Sequence, residues 1–238
     1  MQQLLIITPV KDSIDHTVRT MEAVVQSELN VPHRYVVFND NSTPENTARL
    51  HTEATRLGVE VVDLATLTDH PSPNYLFVLR RCRKEALATD AGLLIVESDV
   101  TVQRDTLQKL FDGATARPNC GIAAAVTVDE EGKINYPYLY ARGKEGQDYD
   151  CKKHCSFCCS LLTPALLKAC DFDQLDDSKN WFDVTISHDS LAAGLHNYLF
   201  CSLPVLHRPH GSRPWKQLKY TNPIKYYWTK WTKGFDKI

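Results

Sequence analysis

In the stretch LLIVESDVTV, residues 93–102, an apolar run ends in Glu97, one small residue and Asp99. Two carboxylates two positions apart in an extended segment point the same way. At about 6 Å and an effective dielectric near 20 they repel by roughly 3 kcal/mol, a cost that a divalent cation removes. Hard oxygen ligands suit Mg²⁺ or Mn²⁺, ions that keep coordination positions for water and a substrate phosphate. The plain alternative is an exposed loop with two solvated acids, where the repulsion falls below about 1 kcal/mol. Placement directly after an apolar strand favours the metal.

Short apolar runs rich in β-branched residues must hold that pair in place: LLII (4–7), YVVF (35–38), VEVV (59–62), LLIV (93–96) and IAAAV (122–126). The patterns between them are helical, and the alternation predicts an α/β fold, a Rossmann-like mostly parallel sheet with helices on both faces. The first crossover has Asp12 or Ser13 as cap and an apolar face of Ile14, Val18, Met21 and Val25. The second opens with Ser42 and Glu45 in capping-box spacing, carries Leu50, Ala54 and Leu57, and closes at Gly58. In the third, Asn74 caps a helix bearing Val78, Cys82 and Ala86. Right-handed connections then give a nucleotide-binding half over residues 1–100. A less regular half follows over 101–212, with a strand at 122–127, a polar loop from Asp129 to Asp150, a strand and helix through CCSLLTPALLKAC, and a helical stretch after Trp181.

In an open parallel sheet, ligands collect beyond the carboxyl ends of the strands, where loops meet helix amino termini. Those ends supply Thr8, Pro9 and Lys11, then Asn39, Asp40, Asn41 and Ser42, then Glu97, Ser98 and Asp99. The set is polar and acidic. With 238 residues and 43% hydrophobic content the chain can bury a full core, and its net charge of −2 argues against a nucleic-acid partner. The run LLIITPV is too brief for a signal-peptide core and no 18-residue apolar stretch occurs, so a cytoplasmic protein is expected. For such a chain the eight cysteines read as reduced thiols rather than a disulfide framework.

At this point the sequence resembles the inverting family-two glycosyltransferases of the GT-A fold. The resemblance spans about residues 3–212. IITPVKDS is similar to the family's opening strand and turn, VVFNDNSTPENT to its second strand, and VESDV to its D-x-D motif. LLTPALLKACDFD is similar to the segment before its acceptor loop, and FDVTISHDSLAAG to its E-D-x-x-L-type helix. The resemblance implies that Thr8, Pro9 and Asp40 line the nucleotide, with Asp40 accepting from a uracil-type imide, and that Arg81 contacts the donor, with Cys82 standing in place of an Asn. It implies that metal binding, Mn²⁺ or Mg²⁺, falls mainly to Asp99, with Glu97 acting on the donor's ribose or through water and Ser98 among the donor-binding residues. Asp183 falls at the catalytic base, with Phe182 where an acid is usual; His188 and Asp189 form a second acid–base candidate. A helix amino-terminal acid favoured by the dipole is the structural alternative for Asp183. In LPVLHRPHGS the family's metal-completing His is either His207 or His210, the expectation leaning to His210.

The implied activity is metal-dependent transfer of a sugar, with inversion, from a nucleotide-diphosphate donor, UDP-linked, to an acceptor hydroxyl. A sugar nucleotidyltransferase would want a glycine-rich turn after the first strand, which ITPVKDS lacks. A nucleotide-sugar-binding or scaffolding protein without turnover stays open through Cys82, Glu97 and Phe182. Trp181 either stacks on a sugar face or anchors the core. CKKHCSFCCS gathers Cys151, His154, Cys155, Cys158 and Cys159, either as zinc ligands or as thiols packed like small hydrophobes.

The tail from Arg213 to Ile238 carries six lysines and an arginine against one acid, with seven aromatics. After Pro223 a helix would align Ile224, Tyr227 or Trp228, Trp231 and Phe235 on one face. That suits peripheral attachment at the inner face of a membrane, and with it a lipid-linked or surface-glycan acceptor. The alternative is a terminal helix packed on the domain with its lysines in water.

Overall fold

The computed structural model describes residues 1–178, 181–209 and 222–232. Strands β1 (Leu4–Val10), β2 (His33–Asn39), β3 (Glu60–Asp63) and β4 (Gly92–Val96) alternate with helices α1 (Ile14–Val25), α2 (Pro44–Leu57) and α3 (Tyr75–Ala88). After β4 come β5 (Val100–Thr101), α4 (Thr106–Thr115), β6 (Cys120–Val128), β7 (Tyr149–Asp150), β8 (Cys159–Leu162), α5 (Pro164–Ala169), α6 (Phe182–Ala192), β9 (His196–His207) and α7 (Pro223–Thr232). All nine strands join one sheet in the order β3-β2-β1-β4-β8-β6-β9-β5, with β7 paired to β9 off that path. Strands β1 to β4 are mutually parallel where they pair, and β6 runs parallel to β9. The short β8 runs antiparallel to both β4 and β6 and stitches the two halves together.

The period-two alternation of each strand explains why both faces are covered. Leu5, Ile7, Leu93 and Ile95 point into one apolar cluster with α3, α5 and α6. Leu4, Ile6, Leu94 and Val96 point into the opposite one with α4. Helix α3 buries Val78, Cys82 and Ala86, as its spacing predicts.

Three local expectations are corrected. On α1 the inward position is Val24, because Met21 and Val24 lie three apart on one face; Val25 is 45% exposed. The cap of α2 is Thr43, whose hydroxyl accepts from the Asn46 N–H at 3.4 Å, while the Ser42 hydroxyl accepts from the Asp12 N–H at 2.9 Å. Gly58 then closes α2 in the left-handed region at φ 68°. Asn74 stands at the N-cap position of α3 as expected, but its side chain makes no capping bond, because its amide donates to Asp40 Oδ1 at 2.8 Å and to the His70 carbonyl at 3.0 Å. The polar loop after β6 also carries more structure than its composition suggests. Ile134, Tyr138 and Ala141 are buried, and the Tyr138 hydroxyl donates to the Ser156 carbonyl at 3.0 Å. Among the described residues no helix is long and apolar enough to cross a membrane.

Candidate active site

Two strand registers build the site. Strand β4 ends at Val96 opposite Cys159 of β8, and the next N–H, that of Glu97, donates to the Cys158 carbonyl at 2.9 Å. Glu97 therefore lies beside Cys158. Directly after Asp99, Val100 of β5 pairs with His207 at the end of β9, and the Arg208 N–H donates to the Asp99 carbonyl at 3.0 Å. So the sheet draws together side chains from three distant parts of the chain. Glu97 Oε2 lies 3.3 Å from Cys158 Sγ, Cys158 Sγ 4.0 Å from His207 Nε2, and His207 Nε2 3.5 Å from Asp99 Oδ2. The His207 Nδ1–H donates to the Tyr136 carbonyl at 2.7 Å, which leaves Nε2 as the atom turned to the acids.

The charges there are crowded. Burial raises the Glu97 carboxyl above the usual carboxylate range, and the Asp99 and Asp183 charges raise it further against the pull of His207. For His207, burial opposes protonation, but the Asp99 hydrogen bond and the Asp99 and Glu97 charges outweigh it, so its pKa rises. Burial likewise pushes the Cys158 thiol well up. Ligands about 2.0–2.3 Å from one ion lie roughly 3–4 Å from one another. Glu97, Cys158 and His207 each offer a donor atom, all within 4.8 Å of one another, so the donor set fits one divalent cation.

Helix α6 opens against this corner. The Tyr75 ring at the start of α3 lies 6.4 Å from that of Phe182 at the start of α6, so two helix amino termini converge here. Asp183 sits in the first turn of α6, where the dipole favours a carboxylate, and its charge is felt by Glu97, Tyr75, Tyr136 and His154. Among the described residues the Tyr75 hydroxyl, buried beside the Glu97 and Asp183 charges, has no hydrogen-bond partner. An unmet buried donor of this kind costs about 1–3 kcal/mol, which a ligand hydroxyl or phosphate would recover. His188 and Asp189 are exposed on α6, and Trp181 before it is half-buried.

No family model matches the sequence. No curated protein matches it either. Solved structures do match its fold. A mannosyltransferase, PcManGT from Pyrobaculum calidifontis in complex with GDP-Man and Mn²⁺, superposes with a TM-score of 0.64 at 13% identity, over 95% of this chain and 63% of that one. S. aureus TarS 1–349 in complex with UDP-GlcNAc superposes with a TM-score of 0.62 at 13% identity, over 87% of this chain and 59% of that one. The chain has a GT-A glycosyltransferase fold. A mycobacterial protein is similar as well, with a TM-score of 0.59 at 15% identity over 91% of this chain and 70% of the other. The chain spans 63% and 59% of the length of the first two.

In this GT-A chain the remaining sequence-derived residues fall as follows. Ser98 is buried between the two acids, and Pro9 is half-buried at the end of β1. Thr8 is fully buried with its hydroxyl 3.0 Å from the Tyr35 hydroxyl, which leaves only its main chain to a ligand. The Asp40 carboxylate accepts from Ser72 Oγ at 2.7 Å, the Asn74 N–H at 2.8 Å and Asn74 Nδ2 at 2.8 Å, pinning the entrance of α3 to the end of β2. Arg81 is exposed on α3. Of the two histidines it is His207 that stands in the donor cluster; His210 lies outside the described residues.

The cysteine run divides rather than converges. The free thiols of Cys151 and Cys155 are hydrogen-bonded to each other, which pulls Cys151 down to about 6 and Cys155 well up, and the Tyr140 hydroxyl lies 3.5 Å from Cys151 Sγ. Cys158 alone of the run reaches Glu97 and His207, and Cys159 is buried in the apolar cluster beneath α4. Tyr75 and Tyr136 are the site residues that spacing did not single out. Cys158 stood out only as one of the CKKHCSFCCS cluster, with nothing to mark it from its neighbours.

Proposed function

We propose that this chain is a metal-dependent, inverting glycosyltransferase that moves a sugar from a nucleotide-diphosphate donor, UDP-linked, to an acceptor hydroxyl. The observation that supports it is the meeting of Glu97, Asp99 and His207 at the end of β4, with the Asp183 charge bearing on Glu97 from the first turn of α6. Residues 1–212 form the catalytic unit in this reading. Thr8, through its main chain, Pro9 and Asp40 line the base and ribose, Arg81 and Ser98 assist donor binding, and Asp99 and His207 hold Mn²⁺ or Mg²⁺ with Glu97 beside them. An ion held there would supply Lewis-acid stabilisation of the departing diphosphate. Asp183 takes the proton of the acceptor hydroxyl as its oxygen bonds to the anomeric carbon; the bond to the diphosphate breaks and the nucleoside diphosphate leaves. One displacement inverts that carbon. The donors named for the similar structures, GDP-Man and UDP-GlcNAc, set the first two to try.

Helix α7 supports an acceptor held at a membrane surface. Its one buried residue is Tyr226, whose hydroxyl bears on Tyr136 at the site, while Ile224, Tyr227, Trp228 and Trp231 are exposed. A helix packed for stability alone would bury those rings. In this reading residues 213–238 rest on the inner face of a membrane, with lysines against anionic headgroups, and the acceptor is a lipid-linked or surface-glycan precursor.

The test is transfer from UDP- and GDP-sugars with Mn²⁺ to a panel of glycan and lipid-linked acceptors, reading the product's anomeric configuration by NMR. Inverted product, reduced about 10²–10⁴-fold in Asp183→Asn with donor binding unchanged, is expected. Retained configuration, or full activity in Asp183→Asn, would contradict the mechanism.

A further inference from the structure

Cys158 is the donor that an all-oxygen-and-nitrogen metal site would not require. A buried thiol that merely fills space faces aliphatic carbon. Here Sγ meets Glu97 Oε2 at 3.3 Å, Ser156 Oγ at 3.4 Å and His207 Nε2 at 4.0 Å, three polar atoms. Its direction is fixed by the sheet, because the Cys158 carbonyl accepts from the Glu97 N–H and Cys159 opens β8 against Val96. Packing alone does not call for a sulfur at this point, whereas a cation would.

We propose that Cys158 ligates the divalent cation of this site through sulfur, and that it biases the site toward a borderline ion of the zinc or cobalt type over Mg²⁺. The proposal rests on the reading that Glu97, Asp99 and His207 hold a divalent ion, and it adds the sulfur donor and its consequence for metal choice. As the sulfur–metal bond forms, the thiol proton leaves to solvent. A thiolate is a soft ligand that Mg²⁺ accepts poorly and Zn²⁺ or Co²⁺ accept well, while the carboxylates keep Mn²⁺ competent. One sulfur thus ranks the ions without excluding the hard-ligand chemistry of the acids.

Cobalt reports sulfur ligation directly. Metal-free full-length protein titrated with Co²⁺ is expected to show a near-ultraviolet thiolate-to-cobalt band together with visible d–d bands. Cys158→Ser should keep the d–d bands, lose the thiolate band, and narrow the preference for Zn²⁺ over Mg²⁺ by roughly 10–100-fold. X-ray absorption of zinc-loaded wild type, which needs no variant, should find one sulfur at about 2.3 Å. Cobalt bound without a thiolate band would overturn the sulfur assignment and leave the metal reading standing. A band kept in Cys158→Ser but lost in Cys151→Ser would place the ion on the other thiols and overturn it too. No cobalt uptake by wild type, with or without a nucleotide sugar, would overturn both.

Discussion

Asp40 and Glu97 follow the two strands that flank β1, at the same end of the sheet, and the chain treats the two carboxylates in opposite ways. Asp40 receives three hydrogen bonds from Ser72 and Asn74, so its charge is met within the chain. Among the described residues Glu97 receives only the Cys158 thiol, while Asp99 and Asp183 press on it with like charge. A carboxylate supplied with donors holds loops together. One ringed by other acids, with a histidine and a thiol at ligand spacing, is arranged for a positive charge from outside. The difference separates an acid that orders the loops at the proposed base-binding end from one set to face a cation at the same end of the sheet.

Opposite signs of stability test that contrast. Asp40→Ala strips the buried Asn74 N–H and amide of their acceptor and should destabilise the protein by about 3 kcal/mol, or roughly 6–12 °C in Tm. Glu97→Gln should do the reverse in metal-free protein, raising stability by about 1 kcal/mol at neutral pH, less than the full Coulomb cost because Glu97 is partly exposed. Its pH dependence has a definite sign. A carboxyl raised on folding binds its proton more tightly in the native state, so metal-free wild type loses stability as pH rises from the unfolded value near 4.5 to the folded one, and Glu97→Gln abolishes that slope. Thermal melts across pH in the presence of chelator would show both effects; a destabilised Glu97→Gln would place the two acids in the same class.

A second contrast lies between the buried and exposed rings of α7. Trp228→Ala with Trp231→Ala should reduce sedimentation with anionic liposomes about tenfold, the equivalent of about 1.4 kcal/mol, with no change in Tm. Equal binding, or equal binding by a chain ending at Ser212, would leave the helix without a membrane role. The smallest effect is expected at Asp12. The Thr43 N–H, at 2.7 Å, holds its carboxyl below the usual range, with Asn46 helping. The stability this adds is present above the unfolded value near 3.8 and lost as pH falls through the lower folded one. Asp12→Ala should therefore flatten the acid end of the stability profile by under about 1 kcal/mol.

Local pattern carried the first half of the fold, since β1 to β4 and the buried face of α3 follow from runs and spacings that a few neighbouring residues decide. Helix α4 buries Leu107, Leu110 and Ala114, a run too short to set a helical period by itself. Glu97 and Asp99 stood out because they end an apolar strand. Cys158 and His207 were each one candidate among several, because their part depends on register. Which of four nearby cysteines meets Glu97 is set by β8 running antiparallel to β4, and which histidine meets Asp99 by β5 pairing with the end of β9. Those are pairings between segments about 50–100 residues apart, and no periodicity within either segment encodes them.

The central claim is that the acids after β4 hold a cation that in turn holds the donor's diphosphate. Melting of the full chain with a UDP- or GDP-sugar at about 100 Kd should rise by roughly 5–10 °C when Mn²⁺ or another divalent ion is present, and not in chelator or in Asp99→Asn. The same rise in chelator, or an undiminished rise in Asp99→Asn, would contradict it.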